Sequence, residues 1–340
     1  MGADQRLEDG RGRVRVWNGP GLGRYRGAVS ARDPDPGAVE LLAGMPVALG
    51  GPRAMAVTRT LPNRDRRMVG AWCFIDAYGP DDLDAGAPGM RVAPHPHIGL
   101  QTVSWLVAGE ILHRDSLGNV QEIRPGQLNL MTAGRGIAHS EQTPARHSGV
   151  LHGVQLWVAL PDRDRTMAPG FAHHADLPVV ADGGLRAVVL MGELAGAASP
   201  AACHTPLVGA ELTLAAGSAA RLPLRPDFEY AVLSLDGAAT VAGTALQPGP
   251  LLYLGTGRSE VRLTGGDGSA RLVLLGGEPF DESLVMWWNF VARDHEEIVE
   301  ARQRWVDGGF GVVHGYDGDP LPAPPMPITR LLPRARARYS

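Results

Sequence analysis

The chain has 340 residues, 44% of them apolar, with a formal net charge of −4 and 32 basic residues that are all arginine. Length and apolar content suit a globular protein large enough for two domains. The mild charge, with no block of like charges, excludes the electrostatic footprint of a direct nucleic-acid binder, and no apolar window reaches the ~18 residues that a membrane helix needs.

Two cysteines, Cys73 and Cys203, are too few and too far apart for a disulfide framework, so reduced thiols are expected. The first residues carry no apolar leader. A soluble cytoplasmic protein is expected. With 45 glycines and 28 prolines, the chain is broken too often for long helices, which favours many short strands.

In chain order, residues 1–45 read as a loosely ordered extension, in which Arg11, Arg13 and Arg15 belong to a solvated tail. Residues 46–165 hold short apolar runs separated by turn residues: MAVTRTL, GAWCFIDAY, LQTVSWLVAGEI, QLNLMTAG and VLHGVQLWVAL. These are the strands of a first β-domain. After a link containing Pro, Gly and His, a second series begins with LRAVVLMG and ends with ARLVLLGG, which makes residues 166–290 a second β-domain. Residues 291–340 hold the one convincing helix, HEEIVEARQRWV, capped by Asp294 with Ile298 and Trp305 on one face, and a proline-rich tail.

The two series superpose. Arg124 to Arg135 (RPGQLNLMTAGR) and Gln247 to Arg258 (QPGPLLYLGTGR) share Pro-Gly, alternating apolar residues, a Gly and an Arg, and HPHIGLQTVSWLVAG upstream resembles RPDFEYAVLSLDG. A duplicated domain follows from this.

Chemistry concentrates in the first copy. His95 and His97 are i and i+2, which on a strand places both on one face. Alone, such a pair is also what two edge or turn histidines look like. His139 and Glu141 repeat the spacing about 40 residues later, and a barrel brings such pairs together. Three imidazoles and a carboxylate make a metal site with room for water or substrate. Iron(II) is the first expectation, and Mn, Ni, Co, Cu and Zn also suit the donors; without a thiolate, a structural zinc site does not fit. In the second copy these positions fall on Arg225, Asp227, Arg262 and Thr264, so that domain is expected to hold no metal.

The run from His95 to Glu141, together with GAWCFIDAYGP, LHGVQLWVALP and MWWNFVARDHEEI, resembles the pirin family over about Val47 to Pro327. The resemblance implies an all-β bicupin: two antiparallel β-barrel (jelly-roll) domains with a short C-terminal helix. It implies iron held in the N-terminal barrel by His95, His97, His139 and Glu141, with Gln101 standing where many other cupins place a ligand glutamate. It also implies a choice of roles, because fold does not fix function. One is a quercetin (flavonol) 2,3-dioxygenase that takes a small aromatic enol and O2, with Glu141 as the base. The other is an iron-dependent redox-sensing regulator that binds a partner protein. A monomer is expected in either case. Trp105, Met131 and Trp157 are candidates for an apolar wall, although core packing explains each as well. His113 is a candidate hydrogen-bond partner of a ligand or a hairpin residue, and Arg135, Ser140, His147, His152, His173 and His174 rank lower.

Overall fold

The structure is a computed structural model that describes residues 14–16, 39–49, 55–84 and 89–337. Arg11, Arg13 and most of the N-terminal extension lie outside the described residues; at its end, Glu40–Leu42 and Met45–Leu49 are strands.

Two antiparallel sandwiches are built on one plan. The large sheet of the first contains Leu128–Thr132, Leu100–Ala108, Val150–Ala159, Trp72–Asp82 and Met55–Leu61 as neighbours in that order, and the second contains Leu251–Gly255, Glu229–Asp236, Ala270–Gly277, Leu207–Leu214 and Leu185–Leu194. Each faces a small four-stranded sheet. The first is Arg91–His97, Ile137–Gln142, Ile111–Asp115 and Val120–Ile123; the second is Ala219–Pro223, Glu260–Gly265, Ala239–Val241 and Thr244–Leu246. The repeat seen in sequence is therefore a repeat in space.

The similarity stops at the ligand positions. In the second barrel Arg262 and Thr264 point to solvent, while Leu222, Val261 and Leu263 fill the interior. Side chains alternate with a period of two, so a one-residue difference in phase exchanges the inner and outer faces of a strand.

Each barrel is completed by a segment from elsewhere in the chain. Gly170–His174, which the sequence boundary at residue 166 assigns to the second domain, instead pairs with Leu128–Thr132 of the first barrel. Glu40–Leu42 pairs with Leu251–Gly255 of the second. Both cover sheet edges that would otherwise present unpaired backbone.

The outer faces of the two large sheets form one continuous core. Trp72 and Trp105 of the first barrel reach across it. The Trp72 indole N–H is shared between the carbonyls of Val208 (3.1 Å) and Gly276 (3.2 Å), and the Trp105 indole N–H donates to Glu211 (2.9 Å). A Cβ at Gly209 would lie 2.8 Å from the Trp72 ring, so a side chain there would collide with the indole.

After the second barrel the chain returns to the first. A hairpin of Val285–Trp287 and Phe290–Ala292 is followed by the expected helix, His295–Val306, whose Glu297 N–H donates to the Asp294 carboxylate. Ile298 is buried against Ala138 and Phe290, and the Trp305 indole N–H donates to the Leu321 carbonyl. Among the described residues no helix is long and apolar enough to cross a membrane.

Candidate metal centre

His95 and His97 lie on Arg91–His97, a separate strand in the small sheet, and not on the alternating run that follows them. Pro94 and Pro96 explain the placement, because proline donates no ladder hydrogen bond and this strand is at the sheet edge. Gly99 makes the turn between the two sheets with φ +70, and a Cβ there would lie 2.0 Å from the Val291 carbonyl oxygen. His95 is directly opposite His139 on Ile137–Gln142, and an irregularity in the pairing follows before Glu141 meets Val92. Such bulges re-aim side chains.

The four expected residues are all buried. The His95, His97 and His139 rings lie 4.4 to 5.0 Å apart between centroids, and one ligand atom from each falls within 4.8 Å of the others. Glu141 falls within the same distance of His139 and His113, which forms a second triad sharing His139. The sequence placed His113 outside the ligand set, and the structure sets it directly behind His139.

The hydrogen bonds fix which nitrogens are bare. His95 Nδ1 lies 2.8 Å from the Ala93 carbonyl and His97 Nδ1 3.0 Å from that of Asn289. A carbonyl only accepts, so each Nδ1 carries the proton and each Nε2 keeps a lone pair. His113 Nε2 sits 3.2 Å from the Asp115 carboxylate and donates to it, which leaves its Nδ1 to accept from His139 Nδ1 at 3.4 Å. The His139 Nε2 is therefore bare as well, 3.1 Å from that of His97.

Burial keeps the His95, His97 and His139 rings neutral. It lowers His95 to about 4 against the opposing Ala93 hydrogen bond. His97 and His139 are held well below the ordinary histidine value by burial, and the neighbouring imidazoles add to it. The Glu141 carboxyl is raised by burial, despite His113 and a 2.9 Å hydrogen bond from the Ser104 hydroxyl. Burial also acts upward on Asp115, but hydrogen bonds from His113 and Asn119 outweigh it and hold that carboxyl low. Three bare nitrogens converging in a buried space repel one another, and a cation between them removes that repulsion. The donors thus fit a divalent metal ion.

The histidines and Glu141 line a cavity of about 450 Å³, within the ~300–1,000 Å³ range of small-molecule sites. Of the three wall candidates, Trp157 lines it, stacked on Phe74 at 3.9 Å and edge-on to His97 at 5.1 Å. Trp105 faces the other barrel, and Met131 is buried in the core. Gln101 also turns away from the site, donating to Thr132 (2.9 Å) and to the Ala202 carbonyl (3.3 Å). Arg59, Asp76, Gln155, Trp288 and Asn289 line the cavity and were not singled out in sequence. Trp288 and Asn289 come from the C-terminal hairpin, and no local pattern announces a contact across that separation. The lower-ranked His152 hydrogen-bonds the Leu235 carbonyl, Arg135 offers its own carbonyl to Arg304, and His173 meets Asn129.

A family model for pirin matches residues 54–158, and one for the pirin C-terminal cupin domain matches residues 209–311. The chain belongs to the pirin family. It is 48% identical over 283 residues to the Pseudomonas aeruginosa protein named "Putative quercetin 2,3-dioxygenase PA1205", covering 82% of this chain and 88% of that one. A Caulobacter vibrioides "Pirin-like protein" is 37% identical over 279 residues, 79% of this chain and 94% of its own. Among solved structures, quercetin 2,3-dioxygenase from Acinetobacter baumannii matches with a TM-score of 0.81 and 44% identity, over 86% of this chain and 96% of that one. The two sandwiches are the two cupin domains of a pirin.

Proposed function

We propose that the chain is a mononuclear iron protein that opens flavonols with O2, with His95, His97, His139 and Glu141 holding the metal. The observation that carries this reading is the convergence of three neutral, bare imidazole nitrogens beside a buried carboxyl in an aromatic-walled cavity. Names of relatives that share 44% and 48% of their residues with the chain point to the same substrate class.

When bound, the ion supplies a Lewis acid and a template for the enolate and O2. The protein does the rest. Hydrogen bonds from His95 and His97 to backbone carbonyls fix their ring orientation. Glu141, the buried carboxyl beside the histidines, takes the proton of the substrate 3-hydroxyl. Ser104 keeps the receiving carboxylate oriented. The stacked Phe74–Trp157 pair forms part of the apolar wall of the cavity. Flavonol and O2 then give the ring-opened ester and carbon monoxide.

The test is purification with iron, followed by quercetin under air while flavonol absorbance, O2 uptake and CO are recorded. Turnover that is lost in His97→Ala and Glu141→Ala supports the reading. No turnover with iron, manganese, nickel or copper refutes it and leaves the regulatory role to be sought through partner capture.

A further inference from the structure

Arg59, Asp76, Gln155 and Ser104 sit directly opposite one another on four neighbouring strands of the first large sheet. Directly opposed residues share a face of the sheet. Here it is the inner face, because Val57 and Met55, which alternate with Arg59 along its strand, are buried inside the barrel with Val92 and Ile111. The line starts at the metal site, where Ser104 donates to Glu141. It ends at Arg59, three strand spacings or about 14 Å away at the backbone.

The Arg59 side chain turns back along this line toward Ser104. Its Nε and Nη2 donate to the two Asp76 carboxylate oxygens, both at 2.7 Å, and the guanidinium lies 4.3 Å from the centroid of the Phe74 ring. Trp157 covers the other face of Phe74, so the guanidinium is the outer member of the stack. Asp76, Phe74 and Trp157 are buried, whereas 25% of the Arg59 side chain is exposed, and it lines the cavity that holds the histidines.

The third guanidinium nitrogen, Nη1, makes no hydrogen bond among the described residues and is not enclosed by them. Of the two carboxyl groups that line the cavity, Asp76 is taken up by Arg59, and Glu141 lies at the histidine end. Val47, Leu49 and Val92 add apolar wall. An open guanidinium donor beside an apolar wall recognises an oxygen that carries negative charge.

We propose that Arg59 is a specificity-determining residue whose Nη1 donates to an anionic oxygen of the substrate, a carboxylate or a phenolate, at the end remote from the metal. The subsite rests on the proposed function for the enol that binds at the histidines. It extends the substrate class to enols with a second, charged oxygen. Asp76 holds the guanidinium in place by occupying its other edge.

Binding separates this subsite from turnover. Dissociation constants are measured under argon by titration calorimetry of the iron-loaded protein. The ligands are 3-hydroxyflavone, its 7-, 3′- and 4′-carboxylates, and the methyl ester of each carboxylate. In the unaltered protein one carboxylate is expected to bind about tenfold more tightly than its own ester, as a hydrogen bond to a charged group provides. In the double variant Arg59→Gln/Asp76→Asn, which leaves no charge buried alone, that ratio falls to within about twofold. Asp76→Asn by itself keeps the cation, and the ratio there holds or grows.

A ratio that survives the double variant overturns the proposal and leaves water as the partner of Nη1. A ratio lost in Asp76→Asn marks the ion pair as a brace of the wall and overturns it as well, as does an unaltered protein that binds ester and carboxylate alike or binds neither. Carbon monoxide release under air from an unaltered protein without the preference refutes the subsite and leaves the dioxygenase standing. The expected ratios in a protein that never releases CO uphold the subsite and refute the dioxygenase.

Discussion

Replacing His113 with phenylalanine isolates what the residue behind a ligand contributes. In the native chain His113 links the Asp115 carboxylate to His139 Nδ1 and stacks on Phe171 at 4.5 Å. Phenylalanine keeps the stacking and volume, and Asp115 retains its hydrogen bonds from Leu117 N and from the backbone and side chain of Asn119. The acceptor for the His139 Nδ1–H is lost, together with one of the several hydrogen bonds to Asp115. The ring is then free to rotate or to change tautomer, and its Nε2 no longer stays bare and aimed. Outer partners of this kind are worth about 10–100-fold in metal affinity, equivalent to about 1.4–2.7 kcal/mol. Competition with a chelator for iron(II), run alongside thermal melts of the metal-free forms, measures this directly. His113→Phe that binds iron as tightly as the native chain, with an unchanged melt, refutes the assignment of His113 as the residue that orients His139.

Three further outcomes follow from the same geometry. Gly99→Ala sets a side chain at φ +70 with its Cβ 2.0 Å from the Val291 carbonyl; a loss of about 2–4 kcal/mol is expected in denaturant melts, together with weaker metal binding because the hairpin carrying the Asn289 carbonyl is displaced. Trp105→Phe leaves Glu211 with Arg271 but removes a buried hydrogen bond between the barrels, which lowers stability by about 2 kcal/mol while iron content, read by elemental analysis, stays constant. The metal-free chain should weaken in acid. The folded value of His95, about 4, lies below its unfolded value, so the folded state binds fewer protons; the stabilisation is whole above about pH 6.5 and is lost as pH falls toward 4, by about 3 kcal/mol from this residue alone. Urea melts across that interval check the sign, and a stability that rises on acidification contradicts it.

Much of the fold is legible because the strands are short and bounded by turn chemistry. Runs such as MAVTRTL and ARLVLLGG are strands at those places, and the Pro-Gly repeat marks equivalent strands in two barrels. Periodicity could not reveal the segments that complete each barrel. Gly170–His174 and Glu40–Leu42 are short and half-exposed, and they are held by edges supplied from distant sequence. The same limit governs the site. His95, His97, His139 and Glu141 declare themselves by spacing, whereas Trp105 and Gln101 share a strand with Ser104 and differ from it only in the face they occupy. One residue of phase separates contact with the other barrel from contact with Glu141. Gln155 carries no motif at all, and its place became visible only through its neighbours across the sheet.

The most direct measurement of the proposed activity is the fate of isotopically labelled oxygen. With iron-loaded protein, quercetin and 18O2, mass spectrometry of the ring-opened product is expected to show both labelled atoms retained, with one CO released per flavonol consumed, and neither product in His97→Ala. Incorporation of one label or none, or full product formation by His97→Ala, contradicts a dioxygenase centred on these histidines.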